Sequence, residues 1–148
     1  LWGIVFLANL CGCAVAAAVL AYGSLLPPER FEGVLEVSRH YAGATALQHF
    51  AWGVPAGFLI AALVWILPRM EGAGEVLMIV ILTYMIGAAG LSHVVAGSTE
   101  LFLLVDRGEL ALRDAFAGAL LPSLAGNILG GTGIFAALTY AQVREEIR

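Results

Sequence analysis

Residues 87–100 read GAAGLSHVVAGSTE and lie inside a hydrophobic stretch that runs from Val76 to Val105. As one helix, this stretch would reach about 45 Å, which exceeds the hydrocarbon core of a bilayer. Three glycines, hydroxyl side chains, a histidine and a glutamate fall where a spanning helix would be deepest. We therefore predict two half-helices, about Glu75 to Ala89 and about Ser98 to Val105, joined by irregular backbone. One tilted or kinked helix is the alternative.

Capping residues for the second half-helix are present in the same stretch. Gly97 or Ser98 can begin a helix, and Glu100 would then lie in its first turn or along a passage. Irregular backbone at this depth persists only where other protein or a water-filled cavity satisfies its polar groups. The stretch is therefore a candidate functional site.

The composition of the whole chain indicates a membrane protein. Of its 148 residues, 61% are hydrophobic and 12% are charged, and the mean hydropathy is +0.93. A soluble domain carries about twice that share of charges. Eleven acidic residues against seven arginines, with no lysine, give no electrostatic support for a nucleic-acid partner. No nucleophile–base pair, phosphate loop or pair of carboxylates is evident, so we expect neither an enzyme nor a cofactor.

Hydrophobic segments separated by polar turns predict a single transmembrane domain. Pro122 and Ser123 divide the last segment, and Ser123 is a plausible N-cap for the span that follows. Leu1 opens directly into a hydrophobic run, so we expect the chain to be part of a longer one with two spans upstream. The predicted spans are about 1–26, 45–67, 75–105 (broken near 90–97) and 124–143.

An internal repeat links the first and last spans. Displacing the chain by 118 residues aligns residues 8–12 with residues 126–130, and Asn9 falls on Asn127. Three crossings separate the two copies, so they would be inverted in the membrane. Inverted repeats with broken helices are typical of transporters that bind their solute near the midplane. The two asparagines are either hydrogen-bond partners between helices or ligands of a solute.

Three motifs resemble the formate/nitrite transporter family: LANL at residues 7–10, GLSH at 90–93 with AG at 96–97, and GNILGG at 126–131. The resemblance implies an all-α, aquaporin-like bundle of six spans with broken helices, of which this chain would be the last four. It also implies a multi-pass protein of the bacterial inner membrane, with a cytoplasmic C-terminus and a homopentameric ring. Each protomer would then have its own passage for small monovalent anions such as formate or nitrite. The identity of the anion stays open.

His93 is the most informative single residue, because an ionisable side chain inside a membrane is a functional candidate. The N-terminus of the following half-helix favours an anion. Imidazole exchanges protons near neutral pH, so His93 can share a proton with the anion and let it cross as the weak acid. A purely structural histidine is the alternative. The predicted substrate pathway comprises His93, Ser92, Gly90, Gly97, Ser98, Asn127, Leu91 and Val94.

Two other classes of function stay open from sequence. His49 and His93 could be haem ligands in a membrane electron carrier, or the chain could be a structural subunit without transport. His49 directly precedes a charge-free run, which we interpret as a position at an interface with a structural or solvated role.

Overall fold

A computed structural model describes residues 1–146 as helices joined by short turns. The five helices that come first are α1 (Trp2–Tyr22), α2 (Pro28–Ala42), α3 (Ala46–Ile66, extended by a 3₁₀ turn over Leu67–Arg69), α4 (Ala73–Ala88) and α5 (Val94–Asp106). The chain is then helical over residues 112–146, here called α6. It consists of α-helical Leu112–Asp114, Leu121–Ile128 and Ala136–Glu146, and π-helical Ala115–Leu120 and Leu129–Phe135.

Three of these helices are long and apolar enough to cross a bilayer. They cover Trp2–Tyr22, Ala46–Arg69 and Leu112–Arg144, whereas α4 is a shorter apolar helix. Large hydrophobic side chains are exposed on these helices and on α4, for example Val64 of α3 and Val80 of α4. Apolar surface of this extent is unfavourable in water and suits lipid or protein neighbours. The prediction of an all-α membrane protein is confirmed.

The third hydrophobic stretch is broken by a glycine turn at the end of α4. Gly90 has a φ of +62°, its N–H donates to Gly87, and the N–H of Leu91 donates to Ile86 at 2.9 Å. These two bonds around a left-handed glycine form a Schellman motif, which ends a helix and satisfies its last carbonyls. The chain then runs outside any helix through His93.

The break is shorter than predicted, because α5 begins at Val94 rather than at Ser98. Gly97 and Ser98 therefore lie inside α5, and the prediction that one of them begins it is wrong. A Cβ on Gly97 would overlap the ring of Tyr41, so this glycine serves close packing. Ser98 donates to the Val94 carbonyl one turn earlier, at 2.6 Å. Glu100 lies in the second turn of α5 and is not a first-turn cap.

Pro122 does not divide the last segment, and the prediction of Ser123 as an N-cap is wrong. Ser123 is fully buried inside α6. A proline ring in an α-helix clashes with the carbonyl four residues earlier. Here a π-helical stretch precedes it, in which the N–H of Leu121 reaches the carbonyl of Phe116. The wider turn displaces the carbonyls that Pro122 would meet, so the helix continues.

The chain forms two compact units. The first comprises Leu1–Ala46 and Val94–Leu121. Its core is Ala17, Leu35, Leu103 and Leu104, contributed by α1, α2 and α5. The Tyr22 hydroxyl donates to the Asp106 carbonyl at 2.7 Å, which fixes the end of α1 against the end of α5.

The second unit comprises Leu47–His93 and the chain from Pro122 onward. Aromatic rings hold α3 against the C-terminal part of α6: Phe135 packs edge-on against Phe58 with centroids 5.3 Å apart. Trp65 contacts the same ring at 6.4 Å. Five of the predicted pathway residues belong to this unit: Gly90, Leu91, Ser92, His93 and Asn127.

Candidate functional site

The site is built on a contact between the backbones of α3 and α6 in the second unit. A Cβ on Gly126 would collide with the Phe50 carbonyl, and one on Gly130 would collide with the Val54 carbonyl. A Cβ on Gly53 would lie 2.9 Å from the Ser123 carbonyl oxygen. Small residues allow this approach of two helices in a membrane. These three glycines therefore serve the close packing of α3 against α6.

This close approach allows the short side chain of Asn127 to reach two main-chain groups. Its amide nitrogen donates to the Gly53 carbonyl of α3 at 2.9 Å and to the Ser92 carbonyl of the break at 2.8 Å. An amide nitrogen has two hydrogens, so both of its donors are bound to protein. The structure therefore agrees with Asn127 as a hydrogen-bond partner between elements.

Ser92 is also held through its hydroxyl. Its Oγ lies 3.1 Å from Nδ1 of His49, which lies in the first turn of α3. Both side chains are fully buried. Ser92 is thus bound at its hydroxyl by His49 and at its carbonyl by Asn127, and the next residue along the chain is His93.

His93 is half-buried and is the last residue before α5. His93 therefore lies on non-helical backbone. The hydrogen bonds of Ser92 and the turn at Gly90 hold this backbone in place. The structure therefore provides a braced loop that ends in an imidazole and continues directly into a helix N-terminus.

The other predicted pathway residues fall into two groups. Gly90 and Leu91 belong to the same break as His93 and close the end of α4. Val94, Gly97 and Ser98 lie in the first turns of α5 and belong to the first unit, where all three are buried. Hydrogen bonds within the second unit bring Ser92 and Asn127 together.

His49 is a residue whose partner sequence reasoning missed. It was expected near an interface in a structural or solvated role; it lies in the first turn of α3, is 0% exposed and contacts Ser92. A usable signal was present, because His49, Gly53 and Gly57 are spaced four apart and share one face of α3. A histidine in line with two small residues on a spanning helix indicates a face that contacts protein.

The repeat-related asparagines have different partners. Asn9 donates to the Val5 carbonyl of its own helix at 2.9 Å, whereas Asn127 bridges α3 and the break. Over residues 1–146, no group of three or more His, Cys, Asp or Glu side chains is arranged to hold a metal ion.

Two sequence comparisons describe relatives of this chain. A family model described as formate/nitrite transporter matches residues 1–141. Inner membrane protein YfdC of Escherichia coli (strain K12) is 35% identical over 147 residues, which cover 99% of this chain and 47% of the relative. The chain thus spans about half the length of the curated relative it matches.

A solved structure with the same fold is a pentameric formate channel with formate bound. The match has a TM-score of 0.80 and 22% sequence identity, and it covers 97% of this chain and 65% of that chain. At this identity the likeness concerns the fold. It confirms the helical bundle with a broken helix that the sequence predicts.

Proposed function

The chain belongs to the formate/nitrite transporter family, and from this membership we propose that it forms a passage for small monovalent anions of weak acids, such as formate or nitrite. The family is one of transporters, in agreement with the expectation that the chain is not an enzyme. The observation that carries the proposal is the helix break that ends in His93 and is braced by Asn127.

Two features of this break favour an anion. Moving an unpaired anion into an apolar medium is costly, so a passage must supply compensating charge or hydrogen bonds. The positive end of the α5 dipole lies at Val94, next to His93 in the chain. The imidazolium form of His93 would add a full positive charge and an N–H donor beside it.

The proton step balances without a cofactor. The imidazolium N–H bond of His93 breaks and an O–H bond forms on the anion, which leaves neutral imidazole and a neutral weak acid. The neutral acid crosses the apolar part of the passage and releases its proton to water on the far side. His93 then regains a proton from water, and the negative charge of the next arriving anion favours the protonated imidazole.

We also propose the assembly and placement that the relatives suggest. The protein would be a multi-pass homopentamer of the bacterial inner membrane, with one passage per protomer and a cytoplasmic C-terminus. Two further spans would pack on the face of α1 that carries small side chains. There Ala8, Asn9 and Gly12 line a groove of about 510 Å³. The curated relative is about twice the length of this chain, which leaves room for two further spans.

Flux measurements on the full-length protein in liposomes test the proposal. Formate and nitrite uptake would be recorded at several pH values for the native protein, for His93→Ala and for His40→Ala, an exposed histidine of α2. We expect flux that His93→Ala abolishes or makes independent of pH, while His40→Ala leaves it unchanged. A His93→Ala variant with native rate and pH profile contradicts the proton step, and a native protein that moves neither ion contradicts the function.

A further inference from the structure

His49 is a buried titratable residue that the proton step does not use. It is 0% exposed on a helix that is apolar enough to span a membrane. Its Nδ1 meets a side chain 43 positions later in the chain, the Ser92 hydroxyl, at 3.1 Å. A polar group in such a position is costly unless a specific contact compensates for it, so the contact with Ser92 requires an explanation.

The bond to Ser92 is part of a closed ring. His49 binds the Ser92 side chain, the Ser92 carbonyl accepts from Asn127, and the same amide donates to the Gly53 carbonyl. Gly53 is one turn after His49 on the same face of α3. The ring therefore returns to the helix from which it started, and the break is fastened to α3 at two points.

Ser92 controls the geometry of His93 because the two share a peptide bond. The carbonyl that Asn127 binds belongs to that peptide unit, which is planar. Its direction therefore also sets the direction of the His93 N–H. The hydroxyl contact fixes the other side of Ser92, so rotation about its backbone would break one bond or the other.

We propose that His49 is a positioning residue for anion passage, which acts through Ser92 to hold the loop that presents His93. This inference rests on the proposed function for its transport consequence, but the positioning itself is a property of the structure. The bond serves in either sense, since Nδ1 accepts from the hydroxyl in one tautomer and donates to it in the other.

A positioning role requires a side chain at position 49 that can form a hydrogen bond with the Ser92 hydroxyl. Asparagine places an amide group close to where Nδ1 lies and can bind Ser92, but it does not titrate. Leucine fills similar space and cannot bind a hydroxyl. A contact that positions the loop is therefore restored by His49→Asn and lost in His49→Leu.

The transport test uses the full-length protein in liposomes with formate as the probe. We expect His49→Leu and Ser92→Ala each to lower the initial flux about tenfold, the scale of one lost buried hydrogen bond. The double variant should be no slower than either single variant, and His49→Asn should stay within about twofold of native flux. Ser38→Ala is the matched control, because Ser38 is equally buried but bonds only to the Val34 carbonyl of its own helix.

A second measurement does not depend on which solute crosses. This chain has three histidines. In ¹⁵N-histidine spectra of the reconstituted protein, the imidazole signal that disappears in His93→Ala is assigned to His93. The His93 signal should move in Ser92→Ala and His49→Leu, and should keep its native position in His49→Asn and Ser38→Ala. A His93 signal that ignores both Ser92→Ala and His49→Leu overturns the positioning role.

The two measurements separate the two proposals. Native formate flux that His49→Leu leaves unchanged overturns the positioning role and leaves the transport function intact. A protein without formate or nitrite flux, whose His93 signal still follows the changes at His49, overturns the function and supports the positioning role. Additive effects of His49→Leu and Ser92→Ala on flux also overturn the positioning role of His49.

Discussion

Asn127 donates a hydrogen bond of 2.8 Å to the main-chain carbonyl of Ser92, 35 positions earlier in the chain. The acceptor is a main-chain carbonyl, which every residue type at position 92 would carry. A substitution there removes the hydrogen bond only if it moves the backbone. The donor is a single side chain on α6, and its second hydrogen is used by Gly53. The geometry of the break therefore depends directly on residue 127.

Asn127→Ala should destabilise the protein. The change removes two donors in a water-poor region and leaves the carbonyls they bound without them, which costs about 1–3 kcal/mol. Unfolding by SDS in mixed micelles, followed by tryptophan fluorescence, measures the loss.

The repeat supplies the control for Asn127. Asn9→Ala removes a bond that Asn9 makes to a carbonyl of its own helix, on an exposed residue, and should change stability by less than about 0.5 kcal/mol. Equal losses for the two variants would contradict the bridging role of Asn127.

Gly126→Ala should also destabilise the protein, because the added methyl group meets the Phe50 carbonyl. Overpacking of this kind costs about 1–3 kcal/mol, and the rigid acceptor cannot rotate away as a side chain could. The same unfolding assay reports the effect. Gly118→Ala, on the same helix in open space, should be neutral or slightly stabilising, and a matching loss there would argue against the backbone contact.

Gly90→Ala tests the turn that ends α4. The left-handed conformation costs a residue with a Cβ about 1–2 kcal/mol, and the surroundings of Gly90 are open, so the effect is one of backbone strain alone. Gly90→Asn should lose less, since asparagine tolerates this conformation. Gly87→Ala, inside α4 with equal space, should gain stability instead, because alanine favours a helix. Hydrogen exchange at Leu91 would report loosening of the break.

The ion pairs of Arg39 predict a pH dependence in the first unit. Arg39 binds Glu109 at 2.6 Å and Glu32 at 2.7 Å, and its hydrogen bonds lower the pKa of Glu109. A depressed folded-state pKa stabilises the protein above the unfolded value of about 4.3, and this contribution disappears as pH falls through the folded value. The thermal midpoint of Glu109→Gln should therefore lie below the native one at pH 7, and the difference should close under acid conditions.

Glu36→Gln is the control for Glu109→Gln. Glu36 is exposed, lies on α2 like Arg39, and takes part in neither ion pair of Arg39. Its thermal midpoint should follow the native value throughout. A difference between Glu109→Gln and the native protein that persists at low pH would contradict the account.

Features set by local chemistry could be predicted from the sequence. A helix break around His93 follows from glycines and polar residues in an overlong apolar stretch. Hydrogen bonding between elements was one of the two roles that the sequence left open for Asn127, and the structure contains those bonds. These inferences need little knowledge of what lies nearby.

Features that depend on contacts with distant segments of the chain could not be predicted from the sequence. Gly97 lies inside α5, where a side chain would overlap the ring of Tyr41, and the partner of His49 is Ser92, 43 positions away. The passage of α6 through Pro122 depends on a π-helical stretch, which has no sequence pattern as regular as a heptad. Each requires the position of a second segment before the first can be interpreted.

The glycines of α6 also bear on attempts to alter this protein. Phe50 and Val54 meet them with carbonyl oxygens, which every amino acid carries at the same place. No swap on the opposite helix can thus create space for a larger residue there, and paired rescue mutations are ruled out in principle. Designed variants should therefore keep the glycines at this contact between α3 and α6 and change side chains elsewhere.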